Sequence, residues 1–111
     1  MDKLSDKALI VYASLDMLEA KDNKTKVNVY SVLDFIGEHE ELQEHPLLKD
    51  ITEFDFVNIV MEINVKSIVA CLTALAKKDI VVKTEPSNYK IDGITRSLKS
   101  YYLKKTLQIE E

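Results

Sequence analysis

Apolar residues recur along this chain with a helical period almost from its start. Over residues 4–21, Leu4, Ala8, Val11, Leu15 and Leu18 form one stripe, and Leu9, Ile10, Ala13 and Met17 form a second on roughly the opposite side. Ser5 is the expected N-cap, with acids in the first turn. A helix that is apolar on two sides has to be covered on both, so in a chain this small the second side is expected to meet another copy. After the polar break DNKTK, residues 28–43 read as a second helix with Val29, Val32, Leu33 and Ile36 inward, weakened at Gly37 and ended by Pro46. Residues 46–52 read as a connection in which Thr52 is placed to cap the next element. From Phe54 to Met61, FDFVNIVM suits a helix or a strand on periodicity alone.

The pattern then sharpens. Ile68, Cys71, Leu72 and Leu75 sit at i, i+3, i+4 and i+7, an amphipathic helix. It runs through Lys77-Lys78-Asp79 straight into the β-branched run IVVKT, with no glycine or proline between. EPSN reads as a turn and YKI as a short returning strand. Beyond Asp92-Gly93, residues 94–108 read as a closing helix, with Ile94, Leu98 and Tyr101 on one side and Leu103 and Leu107 on the other. The expected fold class is mainly α with a small β-hairpin (α+β), a single domain over residues 1–111.

The order helix, tight turn, helix, strand, turn, strand over residues 54–93 resembles the winged helix-turn-helix superfamily. Val57, Met61, Ile63, Ile68 and Cys71 fall where that family has the apolar residues that lock its two helices together. LTALAKKDIVVK is similar to the end of the family's recognition helix and its first wing strand, with Asp79 in place of the more usual glycine. Asn58 stands where a small alanine is common, and Glu62 where the turn commonly has glycine. The resemblance implies a winged helix-turn-helix with added helices at both ends, about 4–21 and 94–108. It further implies a recognition helix in the major groove and a wing on the phosphate backbone.

With Ile68 and Leu75 on the core side, Lys66, Ala70, Thr73 and Lys77 form an outward stripe at i, i+4, i+7 and i+11 with no acid on it. Lysines meet phosphates, Thr73 can bond to base edges or phosphate, and Ala70 is small enough for close approach. Asn64 and Ser67 at the helix start are placed to donate to a phosphate. Lys83, Ser87, Asn88 and Lys90 supply the expected wing contacts, over about residues 80–91. The only arginine is Arg96, and arginine is the usual bidentate reader of guanine. Binding with steep salt dependence and modest base discrimination is therefore expected.

Charge supports a divided surface. The formal net charge is −4, but residues 1–62 hold six lysines against fourteen acids, and residues 63–111 hold nine basic residues against five. A partner meets a face and not an average. The expected function is thus a small DNA-binding transcriptional regulator of bacterial or phage type, partnered with double-stranded DNA. A homodimer is expected through Leu9, Ile10, Met17, Leu103 and Leu107, placing two recognition helices on successive grooves. The alternative is an acidic winged-helix module or inhibitor that binds a protein partner through Glu40, Glu41 and Glu44, with no DNA.

Other chemistry is not expected. His39 and His45 are six apart, whereas the zinc-protease arrangement needs four, so HEELQEH reads as a solvated acidic helix end. Cys71 reads as a small core residue. There is no glycine-rich phosphate loop and no nucleophile elbow, so neither an enzyme nor a cofactor or metal site is expected. A single cysteine, acids in the first twenty residues and the lack of an 18-residue apolar run suggest a cytoplasmic protein without a membrane span.

Overall fold

The computed structural model describes residues 4–22, 27–38 and 40–104, with the side chains of 20–22 and 40 left aside. Four helices, α1 (Asp6–Asp22), α2 (Val29–Glu38), α3 (Glu53–Glu62) and α4 (Val65–Lys77), precede four strands, β1 (Val81–Lys83), β2 (Ser87–Ile91), β3 (Ile94–Leu98) and β4 (Tyr101–Leu103). Two short 3₁₀ turns, Glu40–Glu44 and Pro46–Leu48, link α2 to α3. The class is α+β.

α1 is the centre of the molecule. It packs against α2, α4, both 3₁₀ turns and β4, and every side chain from Ile10 to Leu15 is buried. Its second apolar side is therefore covered by this same chain. Ile10 and Ala13 are at 0% exposure, which takes Ile10 out of any interface between copies. Leu9, Met17 and Leu103 are partly buried and pack on the same core, and Leu107 lies outside the described residues.

Each helix start is capped by a short polar side chain. Ser5 accepts from the Ala8 N–H, Asn28 from Ser31, Thr52 from Asp55 and Asn64 from Ser67, at 2.9–3.2 Å. His45 accepts from the Leu47 N–H through Nδ1 and pairs with the Asp16 carboxylate through Nε2 at 2.8 Å, tying the 3₁₀ turn to α1. Among the described residues no cluster of metal-ligating side chains exists.

α3 and α4 are joined by Ile63 and Asn64 alone, both in extended backbone, and the chain bends by 110° between them. Glu62 thus stays helical and needs no left-handed conformation. The inward side of α3 differs from the expected one. Phe56 and Ile63 are buried and Ile59 and Val60 pack on the core, whereas Val57 (44% exposed) and Met61 (78%) face outward. With six apolar residues among the eight of FDFVNIVM, the period does not choose a side.

α4 ends in a Schellman arrangement. Asp79 takes φ 63°, its N–H bonds to the Ala76 carbonyl, and the Ile80 N–H bonds to the Leu75 carbonyl, both at 3.0 Å. Ile80 and Leu75 are both buried, the apolar contact that accompanies this motif. One left-handed aspartate thus turns helix into strand with no linker, and Lys104 holds its carboxylate at 2.8 and 2.9 Å.

The C-terminal region is a hairpin and not the expected helix. β1 pairs antiparallel with β4, and β2 with β3, so β1 and β2 lie on one arm and β3 and β4 on the other. The turn is Asp92-Gly93, with φ 52° and 79°, and not EPSN. Positive φ at both central positions twists the arms as a hairpin requires. Consequently β1 returns on Tyr101–Leu103 instead of YKI. Val27 bridges Tyr101 on the other edge, so β4 lies between Val27 and β1. Where the arms cross, Thr84 donates its N–H to the carbonyl of the fully buried Ser100 at 2.9 Å, and the Ser100 hydroxyl bonds to that of Tyr89.

Candidate nucleic-acid interface

The outward side of α4 is where the sequence placed it. Lys66, Ala70 and Lys77 are exposed and Thr73 is half-buried, while Ile68, Cys71, Leu72 and Leu75 are in the core. The exposed stripe runs the length of the helix without an acid.

Asn64 holds its side-chain oxygen on the Ser67 N–H at 2.9 Å and takes the Ser67 hydroxyl at 3.3 Å. Its oxygen is therefore occupied in the cap, which leaves its amide N–H groups as donors.

Folding adds two residues that spacing did not show. A shallow cleft of about 460 Å³ lies between the first turn of α1 and α4, lined by Ser5 and Lys7 on one side and Asn64, Lys66, Ser67 and Ala70 on the other. Lys7 stands close enough to Cys71 to oppose the effect of burial, which pushes the Cys71 thiol up. Lys7 thus extends the positive surface of α4. No local pattern announces it, because Lys7 and Lys66 are brought together only by the packing of α1 on α4.

The hairpin divides into two faces by alternation. Asn88, Lys90, Thr95 and Ser97 share one face of the β2–β3 ribbon, which is exposed throughout. Tyr89, Ile91, Ile94 and Arg96 share the other. The expected wing residues Asn88 and Lys90 thus stand together, Ser87 points to the opposite face, and Lys83 is exposed at the hairpin base. The ribbon is five residues long on each arm, a reach of about 17 Å. Arg96 lies over the ring of Tyr30 at 5.9 Å from its centroid, so the single arginine is engaged with α2.

No protein-family model, no curated protein and no solved structure matches this chain. Among the described residues, no single helix is long and apolar enough to cross a membrane.

Proposed function

We propose that this chain is a winged helix-turn-helix protein that binds duplex DNA as a small transcriptional regulator. α4 enters the major groove, and the polar face of the β2–β3 ribbon lies on the adjoining backbone. The observation that carries this reading is the acid-free line Lys66, Ala70, Thr73 and Lys77 along the outward side of α4, exposed except at the half-buried Thr73. Supporting it is the 110° bend before α4, within the roughly 90–120° of helix-turn-helix units, reached here through a turn one residue or more shorter than theirs.

The mechanism is electrostatic first. Lys66 and Lys77, with Lys83 and Lys90 on the hairpin, neutralise phosphates and release their counterions. Four such contacts predict a loss of about 100-fold in affinity as salt rises from about 50 to 200 mM. Thr73 and Ala70 set how closely the helix approaches the base edges. α4 carries no arginine and the single one, Arg96 on β3, lies over Tyr30, so discrimination among sequences rests on lysines and is modest.

The test is fluorescence anisotropy of a labelled random-sequence duplex at two salt concentrations, on wild type and Lys66→Glu/Lys77→Glu. Wild type is expected to bind with the steep salt dependence above. The double reversal is expected to weaken binding by about 100-fold and to flatten the log–log salt slope by about 2. Equal binding by both proteins, or none by wild type at low salt, sinks the proposal.

A further inference from the structure

The other side of the helix pair carries a surface that DNA binding does not use. Three of the five large apolar side chains exposed among the described residues stand on α3, namely Phe54 at 75%, Val57 at 44% and Met61 at 78%. Their spacing, i, i+3 and i+7, sets them in one ridge along the helix. Singly exposed apolar residues need no explanation, but a contiguous ridge marks an interaction surface. Val57 also lines a half-enclosed groove of about 360 Å³ with Ile36, Gly37, Phe56 and Val60, between the end of α2 and α3. Gly37 leaves the wall open, since a Cβ built there would meet nothing within 4 Å. This groove continues through Gln43 and Glu53 into a second opening lined by Glu41, Gln43, Glu44 and Glu53.

The charge around this surface selects its occupant. Residues 34–62, which make up α2's second half, the 3₁₀ turns and α3, hold nine acids against Lys49 alone. A phosphate backbone is repelled from it. A second copy docked through the same face would set the acid-rich surface against itself. Docked through its basic side it would present only Val69, at 39%, as a large exposed apolar side chain of α4. We infer that the α2–α3 groove and the Phe54–Met61 ridge bind a basic amphipathic helix of another protein. Its apolar anchors enter the groove at i, i+3/i+4 and i+7, and its lysines or arginines meet Glu44 and Glu53. This surface is built from residues other than those of α4, so one chain holds DNA on one side and a protein on the other.

The probe is an 18-residue Leu/Lys peptide with leucines at helical spacing, titrated into the full chain by calorimetry, beside a scrambled peptide of identical composition. Micromolar binding of the patterned peptide is expected, at least about tenfold tighter than the scrambled one, since burying two or three leucines is worth more than that factor. Phe54→Ser/Met61→Ser is expected to lose about tenfold or more, while Lys66→Glu/Lys77→Glu does not weaken the binding. Both changes are at exposed positions, and circular dichroism melts check that each variant folds. Equal binding of the two peptides would mean charge attraction alone. Undiminished binding by the serine variant, or no binding by wild type, also overturns the inference. So would sedimentation showing wild-type self-association that Phe54→Ser/Met61→Ser removes, because the occupant is then a second copy.

Discussion

α3 and α4 are consecutive helices of ten and thirteen residues, each started by a polar cap and each burying one side in the same core. Their outward sides share nothing. α3 shows Phe54, Val57 and Met61 among Glu53, Asp55 and Glu62, while α4 shows Lys66, Ala70 and Lys77. Burial accounts for the inward sides and is indifferent to what faces water, so the outward residues are the ones that speak of partners. The two-residue turn bends the chain by 110° between the helices that carry these unlike surfaces. On the two proposals above, a small chain thereby offers two partners of opposite charge separate places to bind.

The largest expected effect separates the inner side of α4 from its outer side. Leu72 is fully buried beneath the proposed DNA surface. Leu72→Ala should cost about 3 kcal/mol of stability through lost burial and the cavity left behind. Measured by denaturant unfolding, that loss should come with DNA affinity per folded molecule intact. Lys66→Glu/Lys77→Glu should do the reverse, losing DNA while the unfolding midpoint barely moves. If the charge reversal unfolds the chain, the two sides of α4 are not independent.

The same two helices show what the sequence reveals and what it conceals. In α4 the apolar residues Ile68, Cys71, Leu72 and Leu75 gather on one side, and Val69 is the one large apolar residue exposed away from it, so the inner side is marked and the outward stripe follows from it. In α3 apolar residues fall on nearly every side, and the choice is made by tertiary packing that puts Phe56 in the core and leaves Val57 and Met61 out. The family pattern points to the wrong pair for the same reason. Residues 94–103 mislead differently. Ile94, Leu98 and Tyr101 are spaced four and three apart, a helical period, yet Asp92-Gly93 between Ile91 and Ile94 is a hairpin signal and it prevails. Two-sided α1 is buried because it is central, a property of the whole fold that no stretch of its own sequence carries. Lys7 enters the site by the same packing.

A middle-sized effect tests the two ends of α4 against each other. The α3–α4 turn uses extended residues that any side chain tolerates, whereas the step into β1 depends on Asp79 at φ 63°. Asp79→Ala should cost about 1 kcal/mol, because alanine suffers in the left-handed region and the exposed pair with Lys104 is lost. Asp79→Gly should be close to neutral, the relief of backbone strain offsetting the lost pair. Thermal melts of the two variants decide this. Equal losses would assign the stability to the ion pair and not to the backbone.

The smallest effect asks how far the acidic helix is felt by the basic one. Glu53 and Glu62 stand at the two ends of α3, and Glu62 is four residues before Lys66. Charges of α3 within a Debye length of bound phosphates repel them, by an amount that salt screens over about 10 Å at 0.1 M. Glu53→Gln/Glu62→Gln should therefore raise DNA affinity by about threefold at low salt, with the gain vanishing near 0.5 M salt, where screening is roughly twice as short-ranged. The same substitutions should weaken the Leu/Lys peptide, since Glu53 lines its groove. Opposite changes in the two affinities from one pair of neutral replacements would show that the acids of α3 keep its ridge for protein and turn DNA toward α4. A parallel change in both would mean that the two surfaces overlap, and the division of partners between the helices would fall.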